Sequence, residues 1–341
     1  MSEAVTIALV GCGAMAHEGY LPALRHVPEA RCTWVIDTDE RLAIAAARKY
    51  AIPMVGKTTR DIRDHVDGVV LAVPNHLHAD LAIEFMEQGR AVLCEKPLAR
   101  SVKEVRAMVA AADRRGVPLL AAMIMRQYPG LQVLRETQHW SSWGDIREVR
   151  ISYGHPLNWP MRDAAFFDKH QSGGGVWLDL GVHALDTLWF SLPCRSMTLG
   201  EYRDDASGGV EAEARARLTL NLGEWGREVP CTVDVSRLRR LRNRLEIVTA
   251  EGSVALSLSG EGVPSVRRGQ TTGPLADVVR RGPVDCFGAQ LRAFARAIRG
   301  LTHTNADGHS QIRVLETIEA AYAGRDAVVA PWERYAPWAS N

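Results

Sequence analysis

Short apolar runs separated by amphipathic stretches fill the first third of the chain. Val5 to Val10, Arg31 to Ile36, Asp67 to Val73, Ala91 to Cys94 and Val117 to Ala122 each read as a buried strand. Residues 79–87 and 102–114 carry apolar positions at helical spacing between them. Buried strands alternating with amphipathic helices predict a parallel sheet covered on both faces, with ligands at the carboxyl ends of its strands. After about residue 123 the period changes. Residues 213–222 alternate strictly, with Ala214, Ala216, Leu218, Leu220 and Leu222 on one side and Glu213, Arg215, Arg217, Thr219 and Asn221 on the other. Residues 229–235, 245–248 and 254–258 repeat the theme around turn signals such as Glu251-Gly252, which predicts an antiparallel sheet. Phe287, Leu291, Phe294 and Ile298, and then Ile312, Leu315, Ile318 and Tyr322, recur at helical spacing and predict packing helices. Residues 155–172 and 260–284 read as long loops.

With 341 residues the chain is long enough for about two domains, expected at 1–123 and 124–341. The second is expected to be an α+β unit with a large open, mainly antiparallel sheet. Basic and acidic side chains nearly cancel, to a net charge of +1, so no global electrostatic case exists for nucleic acid or an anionic membrane. The six cysteines show no C-x-x-C pair and read as reduced core thiols. The first residues lack a basic region followed by an apolar stretch, and no later apolar run approaches a membrane span. A cytoplasmic protein is expected.

The first strand runs straight into Gly11-Cys12-Gly13-Ala14-Met15-Ala16, which fits G-x-G-x-x-G/A. Such a turn also occurs where it merely packs. Here a second strand ends at Asp37 about twenty residues on, where a carboxylate meets the ribose of a dinucleotide, so the doubly wound sheet is expected to be a Rossmann fold. Gly11 permits the turn, Gly13 lets backbone approach a pyrophosphate, and the next helix aims its N-terminus at that anion. Gly11, Gly13, Ala14, Met15, Asp37 and Thr38 are the candidate cofactor contacts. NAD(H) is expected over NADP(H), because Asp37 can accept from both ribose hydroxyls but repels a 2′-phosphate. Arg41 is the one nearby cation that offers the phosphate a partner.

Polar residues follow two later strands: Pro74-Asn75-His76-Leu77-His78 and Glu95-Lys96-Pro97. Pro74, Asn75, His78, Glu95 and Lys96 therefore join the cofactor candidates, although a lysine at a strand end is more often a snorkelling surface cation. Further on, Gly173-Gly174-Gly175 opens what reads as a helix carrying Asp179 and His183, four apart and so on one face. A carboxylate and an imidazole one turn apart suit acid/base work on a polar substrate.

The set Gly11-x-Gly13-x-x-Ala16, Val73-Pro74-Asn75-His76-Leu77-His78, Glu95-Lys96-Pro97 and Gly173-Gly174-Gly175-x-x-x-Asp179-x-Gly181-x-His183 closely resembles the Gfo/Idh/MocA oxidoreductases. The resemblance spans nearly the whole chain. It implies hydride transfer between nicotinamide and a carbinol or ketone carbon, usually of a sugar or cyclitol, with Lys96, Asp179 and His183 as the catalytic set. In such enzymes the lysine bonds the reacting oxygen, the histidine exchanges its proton, and the aspartate holds both in place. The resemblance also implies self-association through the outer face of the antiparallel sheet, giving a homo-oligomer, dimer or tetramer.

The loop from His155 to His170 runs into the glycine turn and is expected to wall the substrate pocket. Trp159 offers an apolar face for a sugar ring, and Arg162 and Asp168 offer partners for hydroxyls or amines. The aromatics serve equally well as anchors of the loop. The arginine-rich stretches at 237–244 and 267–281 read as a solvated hairpin and loop unless the substrate is anionic. His76, His78, His155, His170 and His183 lack the tight spacing of zinc ligands, so no metal is expected. Two other functions stay open: an enzyme that returns the hydride to the same molecule, giving elimination or epimerisation, and a dinucleotide-bound regulatory protein. Retention of Lys96, Asp179 and His183 speaks against the second.

Overall fold

The computed structural model describes residues 3–136, 144–157, 167–206, 209–223, 227–276 and 279–325. Six strands of the first sheet follow in chain order, five of them expected and β3 not: β1 (Val5–Val10), β2 (Ala30–Ile36), β3 (Met54–Gly56), β4 (Gly68–Leu71), β5 (Ala91–Cys94) and β6 (Leu119–Ala121). Their spatial order is β6-β5-β4-β1-β2-β3, all parallel. The order reverses beside β1, which opens a crevice at the carboxyl ends there. α1 (Leu21–Leu24), α2 (Glu40–Tyr50), α3 (His78–Glu87) and α4 (Val102–Arg115) cross between the strands, and a single turn, α6 (Lys169–Ser172), comes later in the chain. Local chemistry sets their ends: the Asp39 side chain accepts the Arg41 amide and that of Ser101 the Glu104 amide, while Gly116 closes α4 in the left-handed region at φ 63°.

The second sheet has β7 (Ile146–Gly154), β8 (Cys194–Asp204), β9 (Glu213–Leu222), β10 (Arg227–Ser236), β11 (Arg244–Thr249), β12 (Ser253–Ser257), β13 (Ser265–Arg268) and β14 (Thr271–Pro274). Their spatial order is β14-β13-β12-β11-β7-β10-β9-β8. Residues 260–284, expected as loop, thus include a short hairpin whose side chains are mostly exposed, which left no apolar alternation to read. All neighbours are antiparallel except β7 and β10, which run parallel with Ser236 opposite Gly154. Helices α5 (Pro129–Glu136), α7 (Val182–Ser191) and α9 (Gly308–Ala323) pack with the apolar face, in one core that continues under the first sheet.

Space does not divide the chain cleanly at residue 123. α8 (Pro283–Ile298) lays Phe287, Leu291 and Phe294 against Ile7, Leu9 and Tyr20, so it covers the first sheet. A two-residue strand, Ala306–Asp307, then adds antiparallel to β6. The reason is packing: on that face the segment around Tyr20 and Leu21 and α2, through Ala43, Ala46 and Ala47, cover only part of the sheet, and α8 completes the layer. Among the described residues no helix is long and apolar enough to cross a membrane.

Candidate active site

The site forms where carboxyl ends of strands from the two sheets meet. On the first sheet, Gly11 stands at φ 94° with the Ala72 carbonyl oxygen 2.2 Å from where a Cβ would be, so only glycine fits between β1 and β4. Gly13 has no atom within 4 Å of that point, which leaves its backbone open to a pyrophosphate. Ala14 and Met15 begin the helical run that continues as a wider π turn, Ala16–Tyr20. The Asp37 carboxylate is anchored by the amides of Cys12 and Asp39, each at 2.8 Å, and each oxygen keeps a lone pair for a ribose hydroxyl. Thr38 beside it is exposed. Arg41 forks onto Asp39 at 3.0 and 2.9 Å. These residues fit a dinucleotide.

The residues after β4 and β5 divide into two kinds. Pro74 is exposed at the strand end, and Asn75 donates to the Ser172 carbonyl at 3.2 Å, tying this edge to the glycine-rich stretch. His78 is wholly buried, with its ring nitrogens 2.8 Å from the Pro97 oxygen and 2.9 Å from that of Val73. It braces the two loops from behind rather than facing the crevice. Glu95 is likewise buried, accepting from the Tyr20 hydroxyl at 2.7 Å and from the Lys96 amide at 3.1 Å. Burial pushes its carboxyl up, against the pull of Tyr20 and Lys96.

Lys96 points across to the second half of the chain. Its Nζ donates to Asp179 Oδ1 at 2.5 Å and to the Asp179 carbonyl at 3.1 Å. Asp179 lies in a π turn, Trp177–Gly181, that continues into α7, where His183 follows one turn later. This segment is held by a residue that no sequence motif marks. Glu211, buried, accepts the Gly175 and Trp177 amides at 3.1 and 2.9 Å and the Tyr322 hydroxyl at 2.7 Å, all on one oxygen. A Cβ on Gly175 would lie 2.1 Å from the Glu211 carbonyl oxygen, so the glycine is required for that approach.

Two further residues enter from the parallel pair of the second sheet. Arg237, read from sequence as part of a solvated run, places Nε and Nη2 on Asp179 Oδ2 at 2.7 and 2.5 Å, with its side chain only 15% exposed. Its Nη1 donates to the His155 ring at 3.0 Å. A signal was present: on β10, Val229, Cys231, Val233 and Val235 face the core, and Arg237 continues that parity. On β7, Val149 and Ile151 face inward, and Tyr153 and His155 continue the same way. Arg239, Arg240, Arg242 and Arg244 are exposed, as expected.

The electrostatics follow from burial and neighbours. Burial pushes the Asp179 carboxyl up, but Lys96 and Arg237 on its two oxygens more than offset this and hold it well below the usual carboxylate range. Burial and then Lys96 push the His183 imidazole down to about 3, against Asp179. His183 is thus a weaker base than a free imidazole, and it is neutral at cellular pH. Its Nδ1 is buried with no hydrogen-bond partner among the described residues, and the Tyr153 ring stands edge-on at 6.2 Å. Asp168 caps the short helix Lys169–Ser172, accepting from the His170 amide at 2.9 Å and the Gln171 side chain at 2.8 Å. Trp159 and Arg162 lie outside the described residues.

A family model described as the oxidoreductase family with an NAD-binding Rossmann fold matches residues 5–123, and the GFO/IDH/MocA C-terminal domain matches residues 131–255. The chain belongs to the GFO/IDH/MocA family. It is a nicotinamide-dependent oxidoreductase. The 1,5-anhydro-D-fructose reductase of Ensifer adhaerens is 25% identical over 94% of this chain and 97% of its own length. The trans-1,2-dihydrobenzene-1,2-diol dehydrogenase of Mus musculus is 31% identical over 53% of this chain and 54% of its own. Matches to three further curated relatives span 56%, 90% and 95% of those proteins. Among solved structures, a 3-ketoreductase from Actinomadura kijaniata in complex with NADP and TDP-benzene superposes with a TM-score of 0.80, at 21% identity over 94% of this chain and 98% of that one.

Proposed function

We propose that this oxidoreductase moves a hydride between NAD(H) and a carbinol or ketone carbon of a sugar, cyclitol or aminosugar, with Lys96, Asp179 and His183 as its catalytic set. The observation that carries this reading is the 2.5 Å contact of Lys96 with Asp179, made across 83 residues of sequence at the carboxyl edge of the dinucleotide-type sheet. When bound, the nicotinamide gives or takes the hydride. The chain's own residues handle the proton and the oxygen. The Lys96 ammonium lies where it stabilises negative charge developing on the reacting oxygen. Neutral His183 takes the hydroxyl proton in the oxidising direction as the hydride leaves, so that the charge on the oxygen is shared between proton loss and the Lys96 ammonium. Asp179 fixes Lys96 and orients substrate hydroxyls.

Cofactor preference rests on Asp37 and on the engagement of Arg41 by Asp39, which leaves no adjacent cation committed to a 2′-phosphate. The described cysteines form no disulfide, which suits a cytoplasmic setting. Copies are read as associating through the uncovered face of the second sheet, where Arg150 with Glu148 and Glu246, Arg215 with Asp234, and Arg217 with Glu201 present charges of both signs. A monomeric mass at micromolar concentration would contradict that. The functional reading is tested by following NADH absorbance with a panel of free sugars, cyclitols, aminosugars and nucleotide sugars. Accumulation of NADH with at least one is expected; substrate turnover with none accumulating would point to hydride returned to the same molecule.

A further inference from the structure

Arg237 is held at the end of β10 by its own backbone. Its N–H donates to the Ala212 carbonyl at 2.8 Å, and its carbonyl accepts the Leu157 amide at 2.9 Å. The parallel pairing of β10 with β7 brings His155 out beside it. From this fixed root the guanidinium puts two donors on Asp179 Oδ2, while Lys96 takes Oδ1. The side chains of Lys96, Arg237 and Asp179 are 19%, 15% and 13% exposed, so their charges are only partly screened by water. One carboxylate between two cations leaves a unit of positive charge in the cluster, with the histidines neutral.

Resting on the activity proposed above, we propose that Arg237 is a positioning residue that pins one oxygen of Asp179, so that the carboxylate neither neutralises Lys96 nor draws a proton onto His183. Without Arg237, Lys96 and Asp179 would be a closed one-to-one pair, and an ammonium satisfied by its own carboxylate is a poor stabiliser of an oxyanion. The released Oδ2 would also be free to favour an imidazolium. With Arg237 in place, the groups acting on His183 are the cations Lys96 and Arg237, the anion Asp179, the imidazole of His155, which also pushes it down, and the edge of Tyr153. The two cations outweigh the one anion. The same guanidinium holds His155 neutral: burial and then Arg237 push its imidazole down.

The test uses the full chain without substrate. The His183 ring is titrated by its imidazole C–H signals in NMR, assigned by their loss in His183→Asn, for wild type, Arg237→Gln, Arg237→Met and Arg237→Lys. The Gln and Met variants are expected to move the His183 midpoint upward by about one unit or more, and the Lys variant, which keeps the charge, by much less. Two neutral variants are read in parallel so that misfolding of one leaves the other, with NADH binding and the thermal midpoint as controls of folding. A His183 midpoint that stays at the wild-type value in a folded neutral variant would overturn the proposal, and so would a Lys variant that shifts as far as Gln. Because no substrate enters, failure to find one would sink the functional reading and leave this inference standing. An unmoved midpoint beside normal turnover would do the reverse.

Discussion

Each sheet delivers residues to the site from the carboxyl ends of a parallel pair, β4 with β5 in the first and β7 with β10 in the second, yet only the first pair was legible in the sequence. Lys96 follows β5 inside a short motif, beside a proline and at the end of a wholly apolar strand. Its role is written locally. Arg237 and His155 are brought together by strands whose ends lie 82 residues apart, in a sheet whose alternation predicts antiparallel neighbours. The alternation fixes which face a residue takes, but not which strand lies beside it or in which direction. A site built from local motifs can thus be named before the structure is known, whereas one built from pairing can be recognised only afterwards.

The largest effect should come from the contact that joins the two edges. Lys96→Ala and Asp179→Ala should each lower turnover by roughly 10²- to 10⁴-fold in a steady-state assay of NADH formation, the span usual for losing a group that acts on the reacting proton or oxygen. The Lys96 variant should also weaken NADH binding, since Lys96 borders the cofactor edge, and the Asp179 variant should not. Equal loss of NADH binding in both would erase the distinction between the first edge and the second.

Glu211 tests the second edge as scaffold. Glu211→Ala leaves the Gly175 and Trp177 amides and the Tyr322 hydroxyl without their acceptor, and should cost roughly 2–4 kcal/mol in urea unfolding, whereas Glu211→Gln, which keeps an acceptor, should cost less. Burial pushes the Glu211 carboxyl up, so its value lies in accepting hydrogen bonds rather than in its charge. Equal stability of the Ala and Gln variants would show that the cap is not what holds the glycine-rich segment.

Protons offer a finer probe. The unfolded chain binds a proton at His183 from about pH 6.5 downward, but the folded chain holds that imidazole neutral to about 3. Stability should therefore fall as pH falls through that window, by at most about 1.4 kcal/mol per pH unit from this group. His183→Asn should flatten the slope of unfolding free energy against pH. An unchanged slope would mean that the ring is not held neutral by its buried place at the junction of the two edges.

The smallest effect concerns the first edge alone. Asp37→Ser should bring the affinity for NADP up to within about tenfold of that for NAD, measured by fluorescence titration of the reduced cofactors, while leaving His183 untouched. Wild-type affinity already equal for both cofactors would contradict the role given to Asp37.

What the sequence disclosed of the fold followed the same division. Most of the first sheet was readable because its strands are mainly apolar runs, as in Val5–Val10 before Gly11, whereas the three residues of β3, with Met54 exposed, were too short a run to single out. The strand Glu213–Leu222 was readable from strict alternation. β7 and β8 were not singled out, since β8 alternates weakly with many half-exposed positions and β7 carries Arg147, Glu148 and Arg150 among its apolar residues. The return of α8 to the first sheet left no mark, because an amphipathic helix states that it packs and not against what. Glu211 was invisible for a similar reason: a carboxylate before a strand looks solvated until the glycine turn it caps is seen above it.

The central claim is that His183 carries the proton while Lys96 and Asp179 hold the oxygen. It is tested most directly by comparing wild type with His183→Ala, over the pH range in which both stay folded, for NADH formation with a substrate found in the panel and for NADH binding. Turnover should be lower by roughly 10²- to 10⁴-fold at every pH, with cofactor affinity nearly unchanged. Near-normal turnover of the variant at any pH would contradict it and pass the proton to another residue.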